Sequence, residues 1–261
     1  MVVNIDFAGL EWRTVLEWTE DQIGLEEVLS GADAHSDNQK FFGLPSRLIA
    51  KVFLFRAIFR GKAFAYANDP DFMAVSKDAA FWEDVIQRFY KKYSGIGKTH
   101  EECLKEVYRN GGVYVHPLSG REFQFKKYEK RGRKDYNDSE VVNFPVQSLG
   151  ADIVAVFRTY VQTKIKRAGL DKRIILLATV HDSCVWDVAD RDAYLALVSV
   201  AHEAMEQLSN AWLYLYGVPL KVPHGYEVEA GSNYGSAKSV MEAKCVLYKP
   251  YSTFDESIFE V

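Results

Sequence analysis

The chain has 261 residues, 48% of them hydrophobic and 14% aromatic, which is enough apolar material to bury one large core or two smaller ones without disulfides. Its three cysteines, Cys103, Cys184 and Cys245, are odd in number and widely spaced, which argues against a disulfide framework or a cysteine zinc site and fits a reducing, cytoplasmic setting. With a formal net charge of −4, any surface for nucleic acid must be a local basic patch. The longest apolar stretches, such as residues 174–180, are only strand-length, and the first residues lack a signal-peptide pattern, so neither a membrane span nor secretion is expected.

Residues 2–6 are largely apolar and β-branched and end on Asp6, the pattern of a short buried strand with a carboxylate at its tip. Helical periodicity follows over residues 12–29, then a polar break over residues 30–40. Pro45 marks a helix start, with the helix expected over residues 46–59. Further helices are expected over residues 78–93 and 99–110, ended by Gly111 and Gly112. A short extended piece, residues 113–116, leads into the turn Pro117-Leu118-Ser119-Gly120. Residues 126–134 are dense in Lys and Arg, interleaved with Tyr128 and Gly132, and read as an exposed, mobile cationic loop. A long helix over residues 146–167 precedes two strands, residues 173–180 and 184–188, joined by His181, Asp182 and Ser183 as a β-hairpin with a carboxylate at its apex. Leu197, Ala201, Met205, Leu208 and Trp212 then recur at helical spacing, and a last strand is expected over residues 226–230.

Asp6 and Asp182, two carboxylates at strand tips, are the hard oxygen donors that a two-metal phosphoryl-transfer site needs to bridge ions about 3.5–4 Å apart. Either aspartate taken alone reads more readily as a turn cap. The helix from Ser46 supplies context, because Arg47, Lys51, Phe55 and Phe59 fall at successive i+4 positions on one stripe. Two cations a turn apart can grip a triphosphate, and two aromatics beyond them offer a flat surface for a base and sugar. The same stripe also fits an amphipathic helix with core phenylalanines and solvated cations.

The order of short motifs separates these readings. Ile5-Asp6-Phe7-Ala8-Gly9-Leu10-Glu11-Trp12-Arg13 resembles motif A of the family A DNA polymerases, DYSQIELR. Arg47-x3-Lys51-x3-Phe55-x3-Phe59 resembles motif B, the O helix of the fingers, and Val180-His181-Asp182-Ser183 resembles motif C, VHDE. Asp33-Ala34-His35 is similar to the DIH element and Ser119-Gly120-Arg121 to the GRR turn. Asn143-Phe144-Pro145-Val146-Gln147 with Ala151-Asp152-Ile153 is similar to the NxPxQGTAADI helix start, and Gly231-Ser232-Asn233-Tyr234 to the GxNW near the family's carboxyl end. Each match is weak alone, but their shared order makes coincidence a poor explanation.

The resemblance implies that Asp6, Asp182 and the Phe7 carbonyl are ligands of two Mg²⁺ ions, with Mn²⁺ able to substitute. It implies that His35, Arg47 and Lys51 contact the triphosphate of a dNTP and that Phe55 and Phe59 pack near its sugar and base. Glu11 becomes the steric gate against a 2′-hydroxyl, and Arg13, Arg121, Asn143, Gln147 and His181 hold primer–template DNA. The cationic run at 126–134 would lie on template or primer phosphates, or simply be solvated. The sequence departs from the family at Ser183, usually glutamate, at Phe59, usually tyrosine, at Arg60, usually glycine, and at Ser139, usually arginine. Ser183 resembles the HDS motif of single-subunit RNA polymerases, but Glu11 and the missing Phe59 hydroxyl favour DNA as product. An inactive nucleic-acid-binding relic is the third reading, disfavoured by the joint presence of both aspartates, the arginine and the lysine.

The implied fold is α+β: a right-hand palm, an antiparallel sheet with helices, with inserted helical fingers and the thumb absent from this chain. Residues 1–16 are assigned to the palm, 17–120 to the fingers, 121–238 to the palm and 239–261 to a C-terminal tail. Because motif A begins at Asp6, the chain is expected to be one half of a split, phage-like replication polymerase, located in a host cytoplasm if phage-encoded. A second polypeptide carrying thumb and exonuclease-like domains would complete it, and Phe254, Ile258 and Phe259 in the tail have a composition suited to docking on such a chain, unless the tail is a disordered end.

Overall fold

The computed structural model describes every residue except Arg131 and Val261, and only the backbone of Lys130 and Arg133. Arg131 of the cationic run and Val261 of the tail therefore lie outside the described residues. In chain order the elements are β1 (Val2–Phe7), α1 (Leu10–Thr19), α2 (Gln22–Leu29), α3 (Ala34–Phe42), α4 (Arg47–Ala57), α5 (Ala63–Ala67), α6 (Pro70–Met73), α7 (Ala79–Lys92), α8 (Ser94–Arg109), β2 (Val113–Val115), β3 (Glu122–Gln124), β4 (Tyr128–Lys130), β5 (Arg133–Asp135), α9 (Asp138–Arg167), β6 (Ile174–Val180), β7 (Ser183–Val188), α10 (Arg191–Glu206), α11 (Leu208–Tyr216), β8 (Tyr226–Gly231) and β9 (Lys238–Ala243). They form two compact units, one of residues 1–13 and 148–261, the other of residues 14–147. Residues 121–147, assigned to the palm from sequence, thus pack with the helical unit.

The first unit is built on an antiparallel sheet of order β6-β7-β1-β8-β9. Strand alternation sends Val3, Ile5 and Phe7 of β1, Cys184, Trp186 and Val188 of β7, and Tyr226 and Val228 of β8 into the core, each 3% exposed or less. Phe7 meets Phe157 of α9 edge to face, with ring centroids 5.2 Å apart. The alternate positions, Asn4, Asp6, Glu227 and Glu229, share the opposite side. The tail is part of this unit. Residues 238–243 are its edge strand β9, and beyond it Ile258 is 2% exposed while Phe254 and Phe259 pack on Tyr214 of α11. Arg167 fixes the turn by donating to Asp255 Oδ2 at 3.1 Å and to the Ser257 carbonyl at 2.6 Å. Ile258 is thus covered by its own chain, while Phe254 and Phe259 are half-buried and Val240 and Leu247 are exposed.

The second unit is mostly helical around an aromatic core in which Phe53, Tyr66, Phe72, Trp82 and Phe89 are all fully buried. Tyr66 stacks on Trp82 with centroids 5.3 Å apart, and burying each such ring contributes roughly 1.5–3 kcal/mol. The single helical stretch read over residues 12–29 breaks into α1 and α2 at Glu20, whose φ is +50°, and Asp21 caps α2 by accepting from Gly24 N at 3.0 Å. The polar break read over residues 30–40 contains α3. Asp33 caps that helix, and Asn38 and Phe42 are its buried residues, too few for a visible stripe. Lys92 and Glu27 form a largely buried ion pair at 2.7 Å, and Lys92 also donates to Asn38 at 2.9 Å, which ties α3 to α7 and α2.

Two further differences from the sequence reading have local causes. The cationic run is a hairpin of β4 and β5 turning at Gly132, φ +76°, instead of a loop. Helix α9 begins at Asp138, before the expected start, and carries Pro145 inside it. Proline removes the bond to the Val141 carbonyl four residues back, and the Cys103 thiol donates to that carbonyl at 3.8 Å. By length and composition α9 could cross a membrane, but 56% of its most apolar window is buried inside the protein.

Candidate active site

In the sheet unit, β1 lies between β7 and β8 with Asp6 opposite Ser183 on one side and Glu227 on the other. The Phe7 N–H donates to the Asp182 carbonyl at 3.1 Å, which closes the β6–β7 turn against the end of β1 and brings the two aspartates together. Burial pushes the Asp6 carboxyl up to about 6, reinforced by the charges of Asp182, Glu229 and Glu227. Mg²⁺ or Mn²⁺ fits such a cluster of hard, half-buried carboxylate oxygens in charge and donor type. Asp6, Asp182 and the Phe7 carbonyl are the groups able to hold it. Among the described residues no group of three or more His, Cys, Asp or Glu side chains is set to enclose a metal by itself.

The neighbours of this pair are specialised. His181 sits at the hairpin apex, exposed, with φ +54°, a left-handed conformation that costs a non-glycine residue about 1–2 kcal/mol. Ser183 is 3% exposed and its hydroxyl donates to the Val180 carbonyl at 3.1 Å, so it clips the turn. Glu11 lies in the first turn of α1, half-buried. Arg13 donates to the carbonyls of Ala8 at 3.0 Å, Lys244 at 2.6 Å and Pro223. Its guanidinium thus staples the end of motif A to the segment before β8 and to the residue after β9, and burial lowers its pKa. Gly225 makes that approach possible, since a Cβ there would stand 2.2 Å from the Lys244 carbonyl oxygen. Glu227 and Glu229 were not singled out from sequence. Their alternation with Tyr226, Val228 and Ala230 was visible, but their register beside Asp6 and Asn4 was not; Asn4 Nδ2 donates to Glu229 at 3.0 Å.

In the helical unit, Ser46 caps α4 by accepting from Ile49 N at 3.2 Å. Ala50, Phe53, Leu54 and Ala57 face the aromatic core, which leaves Arg47, Lys51 and Phe55 on the outer stripe. The helix ends at Ala57 rather than at Phe59. Arg60 takes φ +57° and Gly61 N closes on the Arg56 carbonyl at 2.8 Å, so Phe59 lies in the terminating turn. The Lys51 ammonium is 5.8 Å and the His35 ring 6.0 Å from the Phe55 ring centroid. Burial, then the Arg47 charge, lower the His35 pKa and keep the ring neutral near pH 7. Arg47 forms a bidentate pair with Asp33, at 2.7 and 3.1 Å. Four of the residues predicted for nucleotide binding are therefore assembled around α3 and α4. Arg121 lies apart in the β2–β3 turn, where its carbonyl accepts from His116 N, and Asn143 and Gln147 lie on the first half of α9.

The fold is shared with a solved polymerase structure, the POL domain of Pol1 from M. smegmatis in complex with DNA primer-template and dNTP. The TM-score is 0.67 at 22% identity, covering 86% of this chain and 39% of that one. The sequence profile of DNA polymerase family A matches residues 1–236, and the chain belongs to that family. Among curated relatives, DNA polymerase I of Rhizobium leguminosarum is 23% identical over 90% of this chain and 23% of its own length. DNA polymerase I of Aquifex aeolicus is 26% identical over 69% of this chain and 31% of its own length, and that of Pseudomonas aeruginosa 26% over 89% and 24%. The chain thus spans about a quarter of the length of the curated relatives it matches.

Proposed function

We propose that this chain is the catalytic portion of a DNA-directed DNA polymerase that adds dNTPs to a primer 3′-hydroxyl on template DNA. The observation that carries this reading is the pairing of β1 with the β6–β7 hairpin, which sets Asp6 beside Asp182 with a surplus of negative charge. Asp6, Asp182 and the Phe7 carbonyl would hold two divalent cations, Mg²⁺ or Mn²⁺. When bound there, such ions supply the Lewis acidity that favours the 3′-alkoxide and the departing pyrophosphate. Arg47, Lys51 and neutral His35 bind the triphosphate by charge and hydrogen bonds. Phe55 packs on the sugar and base, with Phe59 beside it, and Glu11 excludes a 2′-hydroxyl. His181, Asn143, Gln147 and Arg121 contact primer–template DNA, and the cationic β4–β5 hairpin meets its phosphates. Arg13 supports this surface through the three carbonyls it holds.

Primer extension with dNTPs and with NTPs, on the unsubstituted chain and on Asp182→Asn, tests the reading. Metal-dependent dNTP addition that falls more than tenfold in the variant is expected, tenfold being about 1.4 kcal/mol of transition-state stabilisation. Preference for NTPs would favour the RNA polymerase reading, and no extension under any condition the relic. The exposed side chains of edge strand β6, Ile175 and Leu177 at 48% and 56%, support completion of the enzyme by a second polypeptide with thumb and exonuclease-like domains. Light scattering with processivity assays checks this: a monomer fully processive by itself refutes it.

A further inference from the structure

We infer that Asp33 is a positioning residue of the triphosphate subsite, the carboxylate that sets both Arg47 and His35 before a nucleotide arrives. This rests on the nucleotide-binding role proposed for Arg47. Asp33 is the N-cap of α3 and Arg47 the first residue of α4, so their pair joins two helices through one carboxylate. Arg47 Nε donates to Oδ2 at 2.7 Å and Nη2 donates to Oδ1 at 3.1 Å. A guanidinium has five N–H groups, and this geometry leaves its outer edge, Nη1 and the remaining Nη2 hydrogen, directed away from the carboxylate. That edge can take a phosphate oxygen while Asp33 stays in place. The carboxylate fixes the guanidinium plane and presents its far side.

The same carboxylate organises the histidine. Asp33 accepts from the backbone N–H of His35 at 3.2 Å and of Ser36 at 3.4 Å, and from the Ser36 hydroxyl at 2.8 Å. The first turn of α3, and His35 with it, is therefore held by the group that holds Arg47. The His35 Nδ1 is buried and has no hydrogen-bond partner among the described residues, and its ring lies against Phe55. Arg47 and Asp33 are 55% and 46% exposed, and an ion pair so exposed adds little to stability. Its consequence is orientation. Were the pair instead a latch that withholds Arg47, removing Asp33 would tighten nucleotide binding.

The test measures binding of dTTP with Mg²⁺ by calorimetry, and KM and kcat for dTTP in primer extension. The full chain is compared with Asp33→Ala, Asp33→Asn, Arg47→Ala and the double variant Asp33→Asn/Arg47→Ala. Asparagine keeps the cap acceptor but loses the charge and the second carboxylate oxygen. Both single Asp33 variants are expected to weaken dTTP by about tenfold, mainly in KM, and Asp33→Asn to add nothing once Arg47 is alanine. Wild-type behaviour of Asp33→Asn reduces Asp33 to a helix cap and overturns the inference. Tighter binding, or an effect that persists without Arg47, overturns it as well. If Arg47→Ala binds dTTP like the unsubstituted chain, or that chain binds none, the nucleotide-binding reading fails first and the inference falls with it.

Discussion

Replacing Asp6 by asparagine should abolish nucleotide addition and yet stabilise the metal-free protein. The folded carboxyl keeps its proton up to about pH 6, whereas an unfolded one releases it near 3.8. The folded state therefore binds more protons across that window, and stability is lost as pH rises through it. Holding the carboxyl at about 6 instead of 3.8 corresponds to about 3 kcal/mol at neutral pH, and because Asp6 is only half-buried, solvent screening reduces this to about 1–2 kcal/mol. Asparagine has the same shape without the charge. Denaturation in EDTA at pH 7 should place Asp6→Asn above the unsubstituted chain by a few degrees in Tm. Adding Mn²⁺ should reverse the order, since ligand binding stabilises only the protein that retains the site. A variant less stable than the parent in EDTA, or equally stabilised by Mn²⁺, would refute the account of Asp6 as an uncompensated ligand.

Other expectations follow from the same structure. Burial holds His100 and His224 near pKa 3 and His116 near 4, so each is neutral when folded, and stability is lost as pH falls below the unfolded value of 6.5. At pH 5 each should contribute about 2 kcal/mol of destabilisation, read as a falling urea midpoint in the Asp6→Asn background; a flat profile between pH 7 and 5 contradicts their burial as neutral rings. Arg60→Gly removes the left-handed strain at φ +57° and should raise stability by up to about 1 kcal/mol in urea titration, while a loss of that size would argue against the turn. Glu11→Ala should relax discrimination against rNTPs and Phe55→Tyr should improve acceptance of ddNTPs; competition assays unchanged in both would mean that motifs A and B are out of register.

Local chemistry was written plainly in the sequence. The β-branched run before Asp6 had to be a strand, the hairpin around Asp182 announced itself by two apolar runs on a short turn, and the i+4 recurrence of Arg47, Lys51 and Phe55 put them on one stripe of α4, while burial decided that the stripe faces outward. The order of motifs pointed to the family that the profile match then established. Helix α3 stayed hidden because its apolar content is confined to a few buried positions.

Tertiary structure decided what periodicity cannot encode, namely which distant segments become neighbours. Placing β1 between β7 and β8 set residue 6 beside residues 183 and 227, and only that register made Glu227 and Glu229 part of the electrostatics of Asp6. The Pro145 break was tolerated because a thiol from α8 met the orphaned carbonyl. Arg13, read as a DNA contact, had its donors directed to three carbonyls drawn from separate loops. Phe254 and Phe259 near the end of the chain met Tyr214 of α11, and Arg167 anchored the turn between them. In each case a residue's chemistry was legible from its side chain, while its use depended on long-range pairing, fixed by burial of the sheet and helices as a whole.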